Sequence, residues 1–285
     1  MALTNFIPAV WSAQILLPLE KALVYGSPLV VNRDYEGEIR DVGDRVKINA
    51  ISDPTIVTYT KNTDVAAVET LSDSQQELVI DQARAFNFQV DDIDQVQTKP
   101  KVMAAAMQRA AYKLADAVDI IVATAMAAAA VKVTATGTDA APRTDLGTVG
   151  KAYEYLVKLG TRLSDVNVPQ NGRFAVVPPW FIELLKLDTT YMLKGTALSD
   201  GITVNGQVAQ VAGFTLLQSN NVPVDTGTYT ILAGSNIATS FAQQIVKVEA
   251  YRPERRFADA VKGLNVFGVK VVRATTLVAA VLDQP

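Results

Sequence analysis

The chain has 285 residues, 49% of them hydrophobic and 19% charged, with 26 Lys and Arg against 29 Asp and Glu for a net charge of -3. That composition belongs to an ordered globular protein with core enough for about two domains, and it excludes a disordered chain. Cys and His are both absent, which removes disulfides, thiolate nucleophiles, the usual zinc sites and the commonest general base, and without a basic surplus or stripe the chain is no reader of DNA or RNA sequence.

From Pro8 to Tyr25, the spacing of Val10, Trp11, Gln14, Ile15, Leu16, Leu19 and Leu23 predicts an apolar helix, with Asn5 as a cap and Gly26 as its stop. It is not a signal peptide, because it lacks a basic leader and a small-residue cleavage site and contains Pro18 and Glu20. A cytosolic product is expected. Such an arm either folds back on its own core or lies on a neighbour, and periodicity does not choose between the two.

Arg45 to Ile51 alternates strictly, Glu77 to Gln82 forms a returning strand, and Phe86 to Val90 alternates again. Between the first two lies Asp53 to Gln75, with a polar tip at Thr60-Lys61-Asn62-Thr63-Asp64. This reads as a long, protruding hairpin, and two strands alone are marginal in water, so it has to lie on something.

Pro100 to Val131 is predicted as one long helix, entered through the acidic run Val90-Asp91-Asp92-Ile93-Asp94 and opened by Thr98 and Pro100. Met103, Met107, Ala110, Leu114, Val118, Ile121 and Ala125 mark its packed stripe, with Arg109, Lys113, Asp116 and Asp119 mostly off it. About thirty residues span on the order of 45 Å, so other elements must hang on this helix. It does not cross a membrane, because its uncharged part, Ile120 to Val131, falls short of the roughly 20 residues required.

After a loop at Gly137 to Pro142, a second helix is expected from about Thr144 to Leu163, then a buried strand at Arg173 to Val177 and a short helix opened by Pro178-Pro179. Val208 to Leu217 and Tyr229 to Leu232 read as further strands, making an α/β or α+β unit over about Ala135 to Ala242. In the tail, Ile245 to Tyr251 alternates, and Val269 to Leu282 reads as one long apolar strand in a sheet along the helix.

No motif marks an active site. Gly147 to Ala152 has the wrong glycine spacing for a phosphate loop, and Ala152 replaces the magnesium-binding hydroxyl. Asp91, Asp92 and Asp94 lack the glycine and terminal glutamate of a calcium loop, and acids before a helix suit its dipole. Tyr251-Arg252-Pro253-Glu254-Arg255-Arg256-Phe257 is either a phosphate-binding patch or an ion-paired turn at a packing surface, and the second is favoured.

The order of these pieces resembles the major capsid, or coat, proteins of tailed bacteriophages, which share the Hong Kong 97 fold. The resemblance rests on Tyr59 to Asp64, the FNFQVDDID run from Phe86 to Asp94, Gly206 to Pro223 and Val248 to Arg273. It implies an α+β fold with an N-terminal arm at 1–32, an extended E-loop hairpin at 33–90, a peripheral domain at 91–134 carrying the spine helix, an axial α/β domain at 135–244, and a closing peripheral sheet at 245–285. It also implies a structural protein rather than an enzyme, with no cofactor and no metal. Hexamers and pentamers would close an icosahedral shell around double-stranded DNA, with assembly contacts at Trp11, Ile15, Arg33, Tyr59, Lys61, Asp64, Arg252, Glu254 and Arg255.

No long helical region precedes the arm and Met1 is present, so a separate scaffolding protein and no N-terminal cleavage are expected. Decoration and portal proteins are further partners, DNA contacts would carry no sequence specificity, and no membrane is involved. The product would be the virion capsid, assembled in the host cytoplasm. Some relatives weld subunits by a lysine–asparagine bond beside a glutamate. Lys61 sits near the hairpin tip, but its partners find no match here, so that chemistry is not carried over. Two alternatives stand beside this reading: an encapsulin-like compartment shell, and a soluble hydrolase using serine and carboxylates.

Overall fold

The computed structural model describes residues 24–36, 45–51, 55–56, 58, 61–62, 70, 73–91, 102–133, 151–187, 207–225 and 227–284. The expected N-terminal helix, apart from Val24 and Tyr25, lies outside them, as do the loop at Gly137 to Pro142 and the start of the second helix.

Strands β1 (Arg45–Ile51) and β2 (Asp73–Val79) pair antiparallel in unbroken register from Arg45 with Val79 to Ile51 with Asp73. This is the predicted hairpin, and it forms a two-stranded sheet of its own. β3 (Gln82–Asp91) instead joins β11 (Ala258–Val271) and β10 (Thr239–Tyr251) in a three-stranded sheet. The hairpin reaches that sheet through Val46, Leu78 and Ile80, which bury against Ala242 and Val266.

The long helix α1 runs from Val102 to Ala129. Its packed stripe is Met107, Ala111, Leu114, Ala115, Val118, Val122, Ala123 and Met126, about one position further round than the sequence pattern indicates. The shift brings Asp119, expected on the wet side, into the interior at 1% exposure. On one side α1 packs against Val261 and Phe267 of β11 and Phe241 of β10. It also packs against Phe174, Val176, Leu232 and Leu277 of a second, seven-stranded sheet. Each such side chain contributes roughly 1.5–3 kcal/mol of transfer free energy, so α1 joins the two sheets into one core.

That second sheet runs β4 (Val131–Val133), β12 (Leu277–Asp283), β9 (Thr228–Ser235), β5 (Arg173–Val177), β7 (Phe214–Gln218), β6 (Gln207–Val211), with the short β8 (Val224–Asp225) on β9. Helices α2 (Lys151–Asp165) and α3 (Pro179–Leu187) cover the face away from α1. Along β5, Phe174 and Val176 face α1 while Ala175 and Val177 face α2 and α3, which is why Arg173 to Val177 reads as a continuous apolar run rather than an alternating one.

Two strand assignments differ from expectation. Val208 to Leu217 is a hairpin rather than one strand, because Ala212 and Gly213, at φ of 51° and 83°, make the two-residue turn between β6 and β7. Val269 to Leu282 is also two strands: Val272 and Arg273 donate to the Ala238 carbonyl at 2.9 and 3.0 Å, and a 3-10 turn at Ala274–Thr276 follows. β12 then pairs with β9 and β4, not with β10 and β11. Both pieces are buried, so hydropathy runs through a break made by the change of sheet.

Candidate assembly surface

The expected contact residues, Arg33 apart, fall into three groups. Trp11, Ile15, Tyr59 and Asp64 lie outside the described residues. Lys61 is exposed in a turn with Asn62, whose φ is 65°. Arg252, Glu254 and Arg255 are brought together, all exposed, on the turn from β10 to β11.

That turn also projects Phe257, 84% exposed, from a tip where Arg252 pairs with Asp259 at 3.3 Å. Behind it, on the sheet face away from α1, Lys262 and Lys247 both pair with Glu249. The hydrogen bonds from Lys247 and then Lys262 hold the Glu249 carboxyl down at about 2. Tyr251 donates from its hydroxyl to Asn87 Oδ1 at 3.1 Å and lies 5.4 Å under the Lys262 ammonium. An ordered, charged platform therefore carries an exposed aromatic ring, and sequence reasoning weighted the arginines and overlooked the phenylalanine. Ile56, 96% exposed on the hairpin connection, is a second such residue. Lone exposed side chains are ordinary, but a large apolar one on each of two connections is the signal.

Arg33 is engaged within its own chain. It pairs with Glu36 at 2.9 Å, and its guanidinium sits 5.5 Å from the Phe241 ring. Phe241 and Tyr251 are ten residues apart on β10, about 33 Å by strand rise, so Arg33 and the Arg252 turn are not one patch.

Arg173 and Asp119, the buried charges among the described residues, serve the fold. Arg173 donates from Nε to Pro169 O at 3.0 Å, from Nη1 to Gly160 O and Ser164 Oγ at 3.1 and 3.2 Å, and from Nη2 to Val168 O at 2.6 Å. It closes the C-terminal end of α2, where carbonyls lack helical partners. Burial pulls its ionisation below the usual arginine range. The surface pocket of about 390 Å³ above it is lined by Thr161 and Ser164, whose hydroxyls donate to the α2 carbonyls of Val157 and Gly160 at 3.0 and 2.9 Å. Burial pushes the Asp119 carboxyl above its ordinary range, against hydrogen bonds from Asn221, Tyr25, Val24 and Gly26. Among the described residues no group of three acidic side chains is placed to hold a metal, and no helix is long and apolar enough to cross a membrane.

The family model for phage capsid protein matches residues 75–280, from β2 through the turn-bearing β10–β11 unit to β12. The chain belongs to the phage capsid protein family. This capsid protein is similar to a solved structure of Mycobacterium phage Che8, at 27% identity over 99% of each chain with a TM-score of 0.70. The capsid of cyanophage P-SCSP1u matches at 17% identity, 93% of this chain and 90% of that one, with a TM-score of 0.69. A virus-like particle from Pyrococcus furiosus matches at 12% identity, 99% and 100%, with a TM-score of 0.60. No curated protein matches. The capsid protein is thus a major structural component of a multimeric virion shell, with the α+β fold of phage capsids.

Proposed function

We propose that this capsid protein assembles into hexamers and pentamers that close an icosahedral shell around the packaged double-stranded DNA of a tailed phage. The observation that supports this most directly is the β1–β2 ribbon, a two-stranded sheet whose connection presents a 96% exposed Ile56. Such a ribbon gains stability from a further surface, and a neighbouring copy supplies one. In this reading residues 1–32 are the arm and 33–90 the E-loop, with β3 at its end hydrogen-bonded to β11. Residues 91–134 and 245–285 are the peripheral segments and 135–244 the axial one, with β12 crossing from the tail into the seven-stranded sheet. Contacts run through Trp11, Ile15, Arg33, Tyr59, Lys61, Asp64, Arg252, Glu254 and Arg255, joined by Ile56 and Phe257. Its role is assembly rather than catalysis. A separate scaffolding protein, a portal and decoration proteins are its partners in the host cytoplasm. The net charge of -3 suits a wall that lets DNA lie against it without gripping it.

The likeness to a virus-like particle favours one second reading, an encapsulin-like compartment that encloses protein cargo. Electron microscopy of the native assembly, with its nucleic-acid content measured alongside, tests both. DNA-filled icosahedral shells several times wider than one subunit are expected. Small protein-filled shells formed without DNA would replace the first reading with the second, and a discrete small oligomer would sink both.

A further inference from the structure

Asp119 lies in the second half of α1, and its carboxylate holds two distant parts of the chain at once. Oδ1 accepts the backbone N–H groups of Val24 and Tyr25 at 3.0 and 2.7 Å. Oδ2 accepts Nδ2 of Asn221 at 3.1 Å, and the same nitrogen donates to Asp116 Oδ1 at 2.9 Å. Val24 to Gly26 is where residues 1–23 join the described fold, while Asn221 stands in the loop between β7 and β8, on the seven-stranded sheet.

The chemistry leaves this junction one arrangement. Two carboxylates flank the Asn221 amide, so it presents its nitrogen; turned over, its oxygen would face two carboxylate oxygens. The Asn221 backbone N–H donates to Ser219 Oγ at 3.1 Å, which closes the loop around that side chain. Lys113 approaches Asp116, at 3.8 Å, and the Asp119 charge is answered by backbone dipoles and an amide. The Asn221 amide on Oδ2 fixes the rotamer of the Asp119 carboxylate, and the backbone N–H groups on Oδ1 need that same rotamer. Releasing one end therefore frees the carboxylate to turn away from the other.

We propose that Asp119 is a coupling residue: the position of the chain at Val24 to Gly26 and that of the β7–β8 loop depend on each other through its carboxylate, with α1 as the rigid bar between them. The coupling is internal to one chain, so it holds for whichever shell the chain builds. The competing account is that burial of Tyr25, Val30 and Val31 holds the segment by packing alone.

Hydrogen exchange, read by mass spectrometry on the full-length protein in its native assembly, separates the two. The hydrogen bonds of Asn221 run to Ser219, Asp116 and Asp119, so its hydrogen-bonded route to residues 24–26 passes through Asp119. Asn221→Ala is expected to speed exchange at amides 24–26 by about threefold to tenfold, the loss of one charge-assisted hydrogen bond's share. Asn221→Asp gathers three carboxylates and is expected to speed it further at neutral pH, with the excess over Asn221→Ala shrinking as the pH is lowered. Faster exchange confined to residues 219–223 in both variants, with 24–26 as in the wild type, overturns the proposal. Asn221 is only half-buried, so both variants leave the apolar core intact.

Discussion

Gly268 on β11 lies so close to the end of β2 that a methyl group on it would stand 2.4 Å from the carbonyl oxygen of Val79 and 2.8 Å from Ile80 Cδ1. The hairpin therefore meets the three-stranded sheet through backbone, at a point where β11 has no side chain to hold it off. Gly263, five residues earlier on the same strand, serves a softer contact, since its methyl would stand 2.3 Å from the ring of the half-buried Phe86. A ring can swing; a paired backbone cannot. Gly268→Ala is expected to cost about 1–3 kcal/mol and to displace the hairpin, and Gly263→Ala about 1 kcal/mol or less. Thermal and denaturant melts of the two variants check the order, and equal losses would mean the hairpin root is not rigid.

Arg173→Met should cost about 2–4 kcal/mol, because it removes the buried donors that reach Gly160 O in α2 and the carbonyls of Val168 and Pro169 just past its end. Arg173→Lys keeps the charge but not the planar fork that reaches several acceptors, so it should recover less than half of that loss. The denaturant midpoint is the readout. Full recovery by lysine would show that the charge, rather than the fan of donors, matters.

Glu154 is held at about 2 by hydrogen bonds from Lys158 and then Lys151. A folded value below the unfolded 4.5 means its contribution is complete above 4.5 and is lost as the pH falls from there towards 2. The pair is largely in water, so the effect is small, on the order of 0.3–0.5 kcal/mol. Melts of Glu154→Gln against the wild type should differ at pH 7 and converge near pH 2; a difference that grows with acid would reverse the sign.

Phe257→Ser and Ile56→Ser should leave the stability of the chain within about 0.5 kcal/mol, since neither side chain is buried in it. Both should lower the yield of closed shells, as counted by sedimentation and microscopy. Shells formed in wild-type yield by both variants would remove these residues from the contact surface.

Much of this architecture can be read one segment at a time. α1, the β1–β2 hairpin, β5 and α3 all follow from period, proline placement and turn residues, because each depends on which of its own residues are apolar. The breaks inside apolar runs were harder to see. Ala212-Gly213 looks unexceptional within Val208 to Leu217, and Arg273 to Thr276 is a weak interruption when both flanks are buried. The candidate contact surface was legible as charge, in Arg252, Glu254 and Arg255, but not as exposure: Phe257 has the composition of a core residue and becomes a surface feature only because β10 and β11 carry it past the end of the sheet.

By itself, then, the sequence determined the elements and the class of protein. The class came from the resemblance of the ordered pieces to phage coat proteins, with which absent cysteine and histidine, an apolar arm and a hairpin too long for its own support agree. Tertiary structure alone decided which sheet each strand joined and where two charges went. β12 could have closed either sheet by its pattern, and the contacts of Leu277 and Ala279 with α1 set beside Val278 and Ala280 with α2 and α3 made the choice. Asp119 lies among apolar neighbours on a helix and reads as solvated, because nothing local announces that Val24, Tyr25 and Asn221, about a hundred residues away on either side, will bring donors to it. A side chain's period follows from its neighbours in sequence, but its partners are supplied by chain that folds back from elsewhere.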